Sequence, residues 1–375
     1  MTDWQELAAA LAEHLAATGA ITDPAWRDAF AATPRHVFVP RFFDGDTEIS
    51  DQNGEEWLRA VYTDQALLTS RRSVTGYDGP LPTSSSSQPT IMAVMLDRLA
   101  VRPGMRVLEV GTGTGYNAAL LCARLGDQRV TTIDIDPALT ADASRHLVEV
   151  GYRPIVAATD GAAGLPIRAP YDRILATCAI TAIPPEWIRQ LAPGGRIVAP
   201  LTGDAGALAV LDKTAPDEVT GHIDATPARF MPLRARIDNP LGPGESAGDT
   251  TTGMAHCGTT AMDPATLADP GPDLTFWLQL HLPGLRLTLP DPAGLTLHTA
   301  DAHAHIGPEP NRGRWPTEQR GTRRIWDTIE HATATWHRLN QPERSRLGIT
   351  ALDDLDRQYI WLDTPDGPYS WPFPL

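Results

Sequence analysis

A doubly wound α/β sheet is the fold class that this sequence of 375 residues predicts. Three observations predict it. Short apolar strands alternate with helix-length segments between Met105 and Pro200, and strand–helix–strand repetition builds parallel sheets covered on both faces. The first of these strands runs directly into a glycine-rich turn, Gly111-Thr112-Gly113-Thr114-Gly115. Acidic residues then follow the next two strands, at Asp134 and Asp160. Around this core the sequence predicts an N-terminal helical extension and a C-terminal α+β extra domain.

Each element has its own justification. Leu7, Leu11 and Leu15 share one face of a helix over 4–17. Asp23-Pro24 supplies an N-cap and a proline at the first helical position of a second helix. The polar stretch 44–56 and the Ser-rich stretch 80–89 read as loops, and 90–99 as a helix. Strands are expected at 106–110, 130–135, 154–158, 171–176 and 197–200, with helices running to Leu125 and over 138–150. Beyond Arg236 the texture changes. Residues 239–260 are full of Gly, Pro, Ser and Thr, as in a linker. Strand-like runs at 274–289 and 295–305 follow, then a helix with Ile325, Ile329, Ala332, Trp336 and Leu339 on one face, then a short strand at 359–362. The division is therefore 1–90, an N-terminal helical and substrate-loop region; 91–236, the ligand-binding core; 237–265, a linker; and 266–375, an α+β accessory domain.

Composition narrows the function. The chain is 42% hydrophobic and 21% charged, with a formal net charge of -15 and a mean hydropathy of -0.22. A nucleic-acid binder must neutralise phosphates with a basic surface, so no nucleic-acid partner is expected. Lys213 is the only lysine; with abundant Ala, Pro and Gly, the arginine preference reads as coding bias. Three widely spaced cysteines, Cys122, Cys178 and Cys257, fit reduced thiols. With no signal-like N-terminus and no apolar run of about 20 residues, a cytoplasmic protein with no membrane partner is expected.

The glycines let a ligand approach the backbone closely. A dinucleotide fingerprint would need its third glycine where Tyr116 stands, and a P-loop would need Gly-Lys-Ser/Thr. Glu109-x-Gly-x-Gly-x-Gly instead resembles the first motif of class I S-adenosylmethionine (AdoMet) methyltransferases. That resemblance implies a Rossmann-like sheet with AdoMet as cofactor, held by Glu109, Gly111, Thr112, Gly113, Gly115 and Tyr116. Asp134, with Ile135 beside it, stands where an acid accepts both ribose hydroxyls. Asp160-Gly161 stands where an acid meets the adenine amine.

Several further segments resemble the protein-L-isoaspartate O-methyltransferases, in the same order: Arg35-His36-Val37-Phe38-Val39-Pro40, Tyr62-Thr63-Asp64, Ser87-Gln88-Pro89, 107–116, Asp160-Gly161, 169–174 and 190–198. The resemblance spans roughly 26–201. It assigns Ser87 as the acceptor-orienting serine, with Ser85 and Ser86 as further candidates, and places Gln88 at the cofactor. Two departures stand out. The repair enzymes carry Thr-Ile-Ser before the Gln-Pro or Ala-Pro pair, where this chain has Ser85-Ser86-Ser87. They also end soon after the methyltransferase domain. Both features are similar to divergent members acting on ribosomally made peptides in ATP-grasp (graspetide) and lanthipeptide pathways. The expected substrate is therefore an aspartate of a macrocyclic precursor peptide, esterified on the way to aspartimide, with the pathway's ATP-grasp ligase as a further partner. Repair of isoaspartyl residues and a non-catalytic AdoMet-binding scaffold are the alternatives.

Other clusters are read as structural. His298, Asp301, His303 and His305 are expected to form a polar strand face, with no metal site. Cys178 is expected to be a small packing residue, and Tyr359 and Trp361 to be packing residues of the C-terminal region.

Overall fold

The computed structural model describes residues 3–73, 79–203, 205–237, 255–291 and 294–373. The chain opens with helices α1 (Trp4–Ala17), α2 (Pro24–Ala32) and α3 (Arg35–Phe38). Asp3 caps α1 by accepting from the Gln5 N–H, and Asp23 caps α2 by accepting from the Ala25 N–H, with Pro24 in the first turn. Then come β1 (Arg41–Asp44), β2 (Thr47–Ser50), α4 (Glu55–Val61), β3 (Leu67–Ser73) and β4 (Pro80–Ser86). These strands form a small antiparallel sheet in the order β2-β1-β3-β4. The two stretches expected as loops thus contribute β2 and β4. Their Ser/Thr-rich sequences gave no apolar alternation, yet β4 pairs with β3 from Pro80 to Ser86.

The core follows: α5 (Pro89–Leu99), β5 (Val107–Val110), α6 (Tyr116–Leu125), β6 (Val130–Asp134), α7 (Pro137–Glu149), β7 (Ile155–Ala158), β8 (Tyr171–Ala176), α8 (Pro185–Gln190), β9 (Leu191–Leu201), β10 (Ala207–Ala215) and β11 (Glu218–Asp224). Strands β7, β6, β5, β8 and β9 lie side by side and parallel. The chain leaves β5 in one direction for β6 and β7, and later in the other for β8 and β9. The carboxyl end of β5 is therefore the switch point, where open α/β sheets bind ligands.

Beyond the core lie β12 (His256–Thr260), α9 (Gly271–His281), β13 (Arg286–Asp291), β14 (Gly294–His298), β15 (Ala302–Ile306), β16 (Trp315–Gly321), α10 (Ile325–Arg338), β17 (Leu347–Leu352), β18 (Gln358–Leu362) and β19 (Ser370–Pro372). Residues 239–254 of the expected linker lie outside the described residues, and its end is strand β12. The first half of the run expected as strand at 274–289 belongs to helix α9, and its end, from Arg286, is strand β13. The helix buries Leu274, Phe276, Trp277, Leu278, Gln279 and Leu280 together, and a helix apolar all round carries no 3.6-residue stripe to read.

The C-terminal region divides between two sheets. Strands β12 to β16 form a sheet of their own, but β17, β18 and β19 continue the core sheet beyond β11. The expected boundary at 266 does not separate two cores. One face of the central sheet (Leu108, Val110, Ile133, Ile174, Ile197) packs in a single cluster with Trp187 of α8, Trp277 of α9, and Trp326 and Ile329 of α10. The opposite face (Val107, Leu175, Val198, Leu208) packs on Leu11, Trp26, Phe30, Met92 and Leu120. Each such fully buried side chain contributes on the order of 2 kcal/mol. Among the described residues no helix is long and apolar enough to cross a membrane. Asp301 is held by Arg323 at 2.7 Å and by Thr299 at 3.0 Å. No three His, Cys, Asp or Glu side chains gather around a metal-sized gap among the described residues.

Gln358 bolts the added strands to the core. Its amide accepts from Ile183 N at 3.0 Å and donates to Ile183 O at 2.8 Å and Leu352 O at 3.2 Å. Gln358→Ala strands these buried groups, each costing about 1–3 kcal/mol. The expected loss is about 3 kcal/mol of stability, read as a lower urea midpoint.

Candidate active site

The glycine turn leaves β5 at the switch point with Gly111, Gly113 and Gly115 at φ of +101°, +52° and +89°. Glycine adopts these angles at no steric cost, whereas other residues are strained there. At Gly111 a Cβ would also sit 2.5 Å from Thr177 Oγ1. Asp134, at the end of β6, clamps the turn from the side: Oδ2 accepts from Gly113 N at 2.9 Å and Oδ1 from Asp136 N at 3.1 Å. Burial raises the Asp134 pKa, and the two backbone N–H groups partly restore the anion.

Behind the turn lies Glu109, expected as a cofactor contact. The structure places it elsewhere. It is fully buried, Oε1 accepting from Asn117 at 2.6 Å and Oε2 from Thr132 at 2.5 Å. Thr132 in turn meets the Thr112 hydroxyl at 2.7 Å. Glu109 props the turn from below and does not line the cavity. Burial pushes its pKa up to about 7. Asp160 does not line the cavity either. It is exposed, accepts from Ala162 N at 2.9 Å and caps a short turn, while its neighbour Gly161 does line the cavity. A Cβ on Gly161 would fall 2.7 Å from both Leu233 and Val110, so the glycine permits a close wall.

The cavity measures about 810 Å³, within the range of small-molecule sites. The structure brings Gly111, Thr112, Gly113, Tyr116, Asp134, Ile135, Gly161, Ser85, Ser86, Ser87 and Gln88 to its surface. The serines arrive on the end of β4, which crosses above the turn: a Cβ on Gly113 would lie only 3.6 Å from Ser85 O and 3.9 Å from Ser84 Oγ. Gln88 leans on Asp64, its amide donating to Asp64 O at 3.2 Å, while Asp64 also holds Thr90 at the start of α5.

Arg35, read above only as the first residue of a family segment, is the hub of this crossing. It is fully buried, and among the described residues no carboxylate is hydrogen-bonded to it, although the charge of Asp64 favours the cation from nearby. Its guanidinium donates to the carbonyls of Val61, Thr63, Gln65 and Ser87 at 2.9–3.1 Å, and to Ser86 Oγ at 3.3 Å. Burial lowers its pKa to about 10, which leaves it a cation at neutral pH. The Ser86 oxygen is thereby tied to Arg35 as an acceptor while its proton stays free to donate, so Ser85, Ser86 and Ser87 all remain acceptor-side candidates. Tyr116 packs its ring against Phe30 and Phe38 beside Arg35.

Of the opposite wall only Cys178 was singled out in the sequence, as a packing residue. The wall combines Cys178, the segment Arg229–Arg234, and Asp269 to Thr275 of the C-terminal region. Backbone bonds from Ala179 N to Met231 O and from Leu233 N to Ala179 O hold that segment against the end of β8. Burial pushes the Cys178 thiol up to about 12, so it stays a neutral thiol.

Residues 6–238 match the protein-L-isoaspartate(D-aspartate) O-methyltransferase family. The chain belongs to this family. Protein-L-isoaspartate O-methyltransferase 1 of Anaeromyxobacter sp. (strain Fw109-5) is 40% identical over 237 residues, 62% of this chain and 98% of the relative. The Aeropyrum pernix relative is 32% identical over 61% of this chain and 80% of its own length. A solved structure of a protein-L-isoaspartate O-methyltransferase aligns over 94% of this chain and 99% of that one, with a TM-score of 0.53 at 20% identity. The fold likeness thus extends into the C-terminal region, which is not peculiar to this chain. Membership in the family makes the chain an AdoMet-dependent methyltransferase. The residues present fit that cofactor: a turn with glycine at every second position, a buried acid at the end of the next strand, and a small-molecule-sized cavity joining them.

Two measurements check this site. Asp134→Ala removes a charged acceptor and is expected to weaken AdoMet binding about ten- to a hundredfold by calorimetry. Glu109 favours its neutral form when folded, so its ionisation costs nothing below its ordinary value of 4.5 and its full cost above about 7. The stability of Glu109→Gln relative to wild type is therefore expected to rise across that pH window and level off above it, read by urea unfolding at each pH.

Proposed function

We propose that this chain methylates the free α-carboxylate of L-isoaspartyl residues in peptides and proteins, the first step of their repair. The observation that carries the reading is the crossing of the serine strand over the glycine turn, with Ser85 O 3.6 Å from where a Cβ on Gly113 would stand. It sets an acceptor platform directly beside the donor's cradle. The names of relatives matched over most of their own length support the isoaspartyl substrate. The expectation of a macrocyclic precursor peptide rested on two features, and both have lost their force. The Ser86 oxygen is engaged by Arg35, and the C-terminal region has a counterpart in a solved neighbour.

The chemistry asks little of the protein beyond placement. AdoMet, when bound, supplies an electrophilic methyl group. A carboxylate is already ionised near neutral pH and attacks without a general base. Ser85, Ser86 and Ser87 are the candidates to orient the acceptor by donating to one carboxylate oxygen, leaving the other to form the new C–O bond. Holding both reactants in line supplies much of the rate gain. The ester product then closes to a succinimide as the following backbone nitrogen displaces methanol, a step that needs no enzyme.

Purified protein with AdoMet is expected to esterify a synthetic L-isoaspartyl peptide and then release methanol, while the normal aspartyl isomer stays unmethylated. Turnover confined to an enzymatically cyclised peptide, with the linear isoaspartyl peptide inert, would refute the reading.

A further inference from the structure

Two guanidiniums line the cavity, Arg229 and Arg234. Arg234 is engaged: it donates to Thr83 O at 3.1 Å, and its charge favours the Asp134 anion. Arg229 is exposed and has no hydrogen-bond or ion-pair partner among the described residues.

The support beneath Arg229 is nevertheless rigid. Its aliphatic stem lies across the turn between β9 and β10, with Cγ 2.5 Å from where a Cβ on Gly206 would stand. That turn is gripped from below by Arg344, 1% exposed, whose Nη1 donates to Gly206 O at 2.6 Å. The Arg344 Nε pairs with Asp273 in the first turn of α9 at 2.9 Å, and Gln279 of the same helix donates to Thr202 O at 2.5 Å. A buried cation and a helix of the C-terminal region thus fix the platform on which Arg229 stands, at the open side of a cavity whose floor is the glycine turn.

We infer that Arg229 is the specificity-determining residue that captures the acceptor's carboxylate at the mouth of the cavity, and that the C-terminal region serves the reaction by fixing it there. This rests on the isoaspartyl reading above. Guanidinium and carboxylate match as a two-pronged, charge-assisted pair. The pair exists for the substrate and not for the product: methyl transfer turns the carboxylate into a neutral ester and the sulfonium into a neutral thioether. Arg229 therefore favours entry of the anion over retention of the ester.

The test is steady-state kinetics on one L-isoaspartyl peptide with wild type, Arg229→Gln and Arg229→Lys, alongside inhibition by the same peptide bearing a neutral α-carboxamide. For Arg229→Gln the KM for the peptide is expected to rise about tenfold, while kcat changes by less than about twofold. AdoMet affinity by calorimetry and carboxamide inhibition stay as in wild type, and Arg229→Lys recovers part of the KM. An unchanged KM, or an equal weakening toward the carboxamide, overturns the assignment while wild-type turnover leaves the isoaspartyl reading standing. Absence of wild-type turnover on the peptide overturns both.

Discussion

The close crossing of β4 over the glycine turn is the constraint on which the rest of the structure depends. Ser85 O lies 3.6 Å from where a Cβ on Gly113 would stand, an ordinary contact distance, so it is the left-handed backbone angle beneath the strand that favours glycine at this crossing. Holding the strand and that angle requires support from two sides. From below, Glu109, Thr132 and Thr112 form a buried hydrogen-bonded column. From above, Arg35 collects four carbonyls and the Ser86 hydroxyl. The two columns reach the cavity only at Thr112 and at Ser86 and Ser87, and together they fix the separation between donor cradle and acceptor strand.

Arg35 also shows how a buried cation is kept without a buried anion. Removing an ion from water costs several kcal/mol unless its donors are satisfied. Carbonyl dipoles from the end of α4, the loop after it and the serine strand do that here. The consequence is mechanical. Ser86, which stands where the repair enzymes have an apolar residue, adds one more acceptor to the set, so the departure strengthens the joint that holds Ser85 and Ser87.

Much of this was legible in the sequence, for identifiable reasons. The parallel strands and the glycine turn advertise themselves through short apolar runs and positions that tolerate only glycine, and Asp134 through its place at a strand end. What escaped is what depends on distant partners. Helix α9 is buried on all sides and so has no stripe. Strands β17 to β19 join the core sheet through β11, more than a hundred residues earlier in the chain. Glu109 and Asp160 were acids at motif positions, but a motif fixes the residue and not its rotamer: one points inward to Asn117, the other caps its own turn. Arg35 lay inside a recognised segment, yet its role needed the coordinates of Val61, Gln65 and Ser87.

The charge layout of the cavity follows from what the reaction does to charge. A sulfonium and a carboxylate come in, and two neutral groups leave, so charge is dispersed as the methyl group moves. A cation pressed deep against the acceptor carboxylate would stabilise the reactants more than the transition state and slow the chemical step. The deep end instead carries an acid, Asp134, 8% exposed, whose charge Arg234 offsets, and neutral hydroxyl donors on β4. The unpaired guanidinium stands at the exposed mouth. A net charge of -15 on the chain as a whole would repel an anionic acceptor at long range, and a single cation at the entrance offsets that repulsion where the peptide must pass, without adding positive charge at the point of transfer.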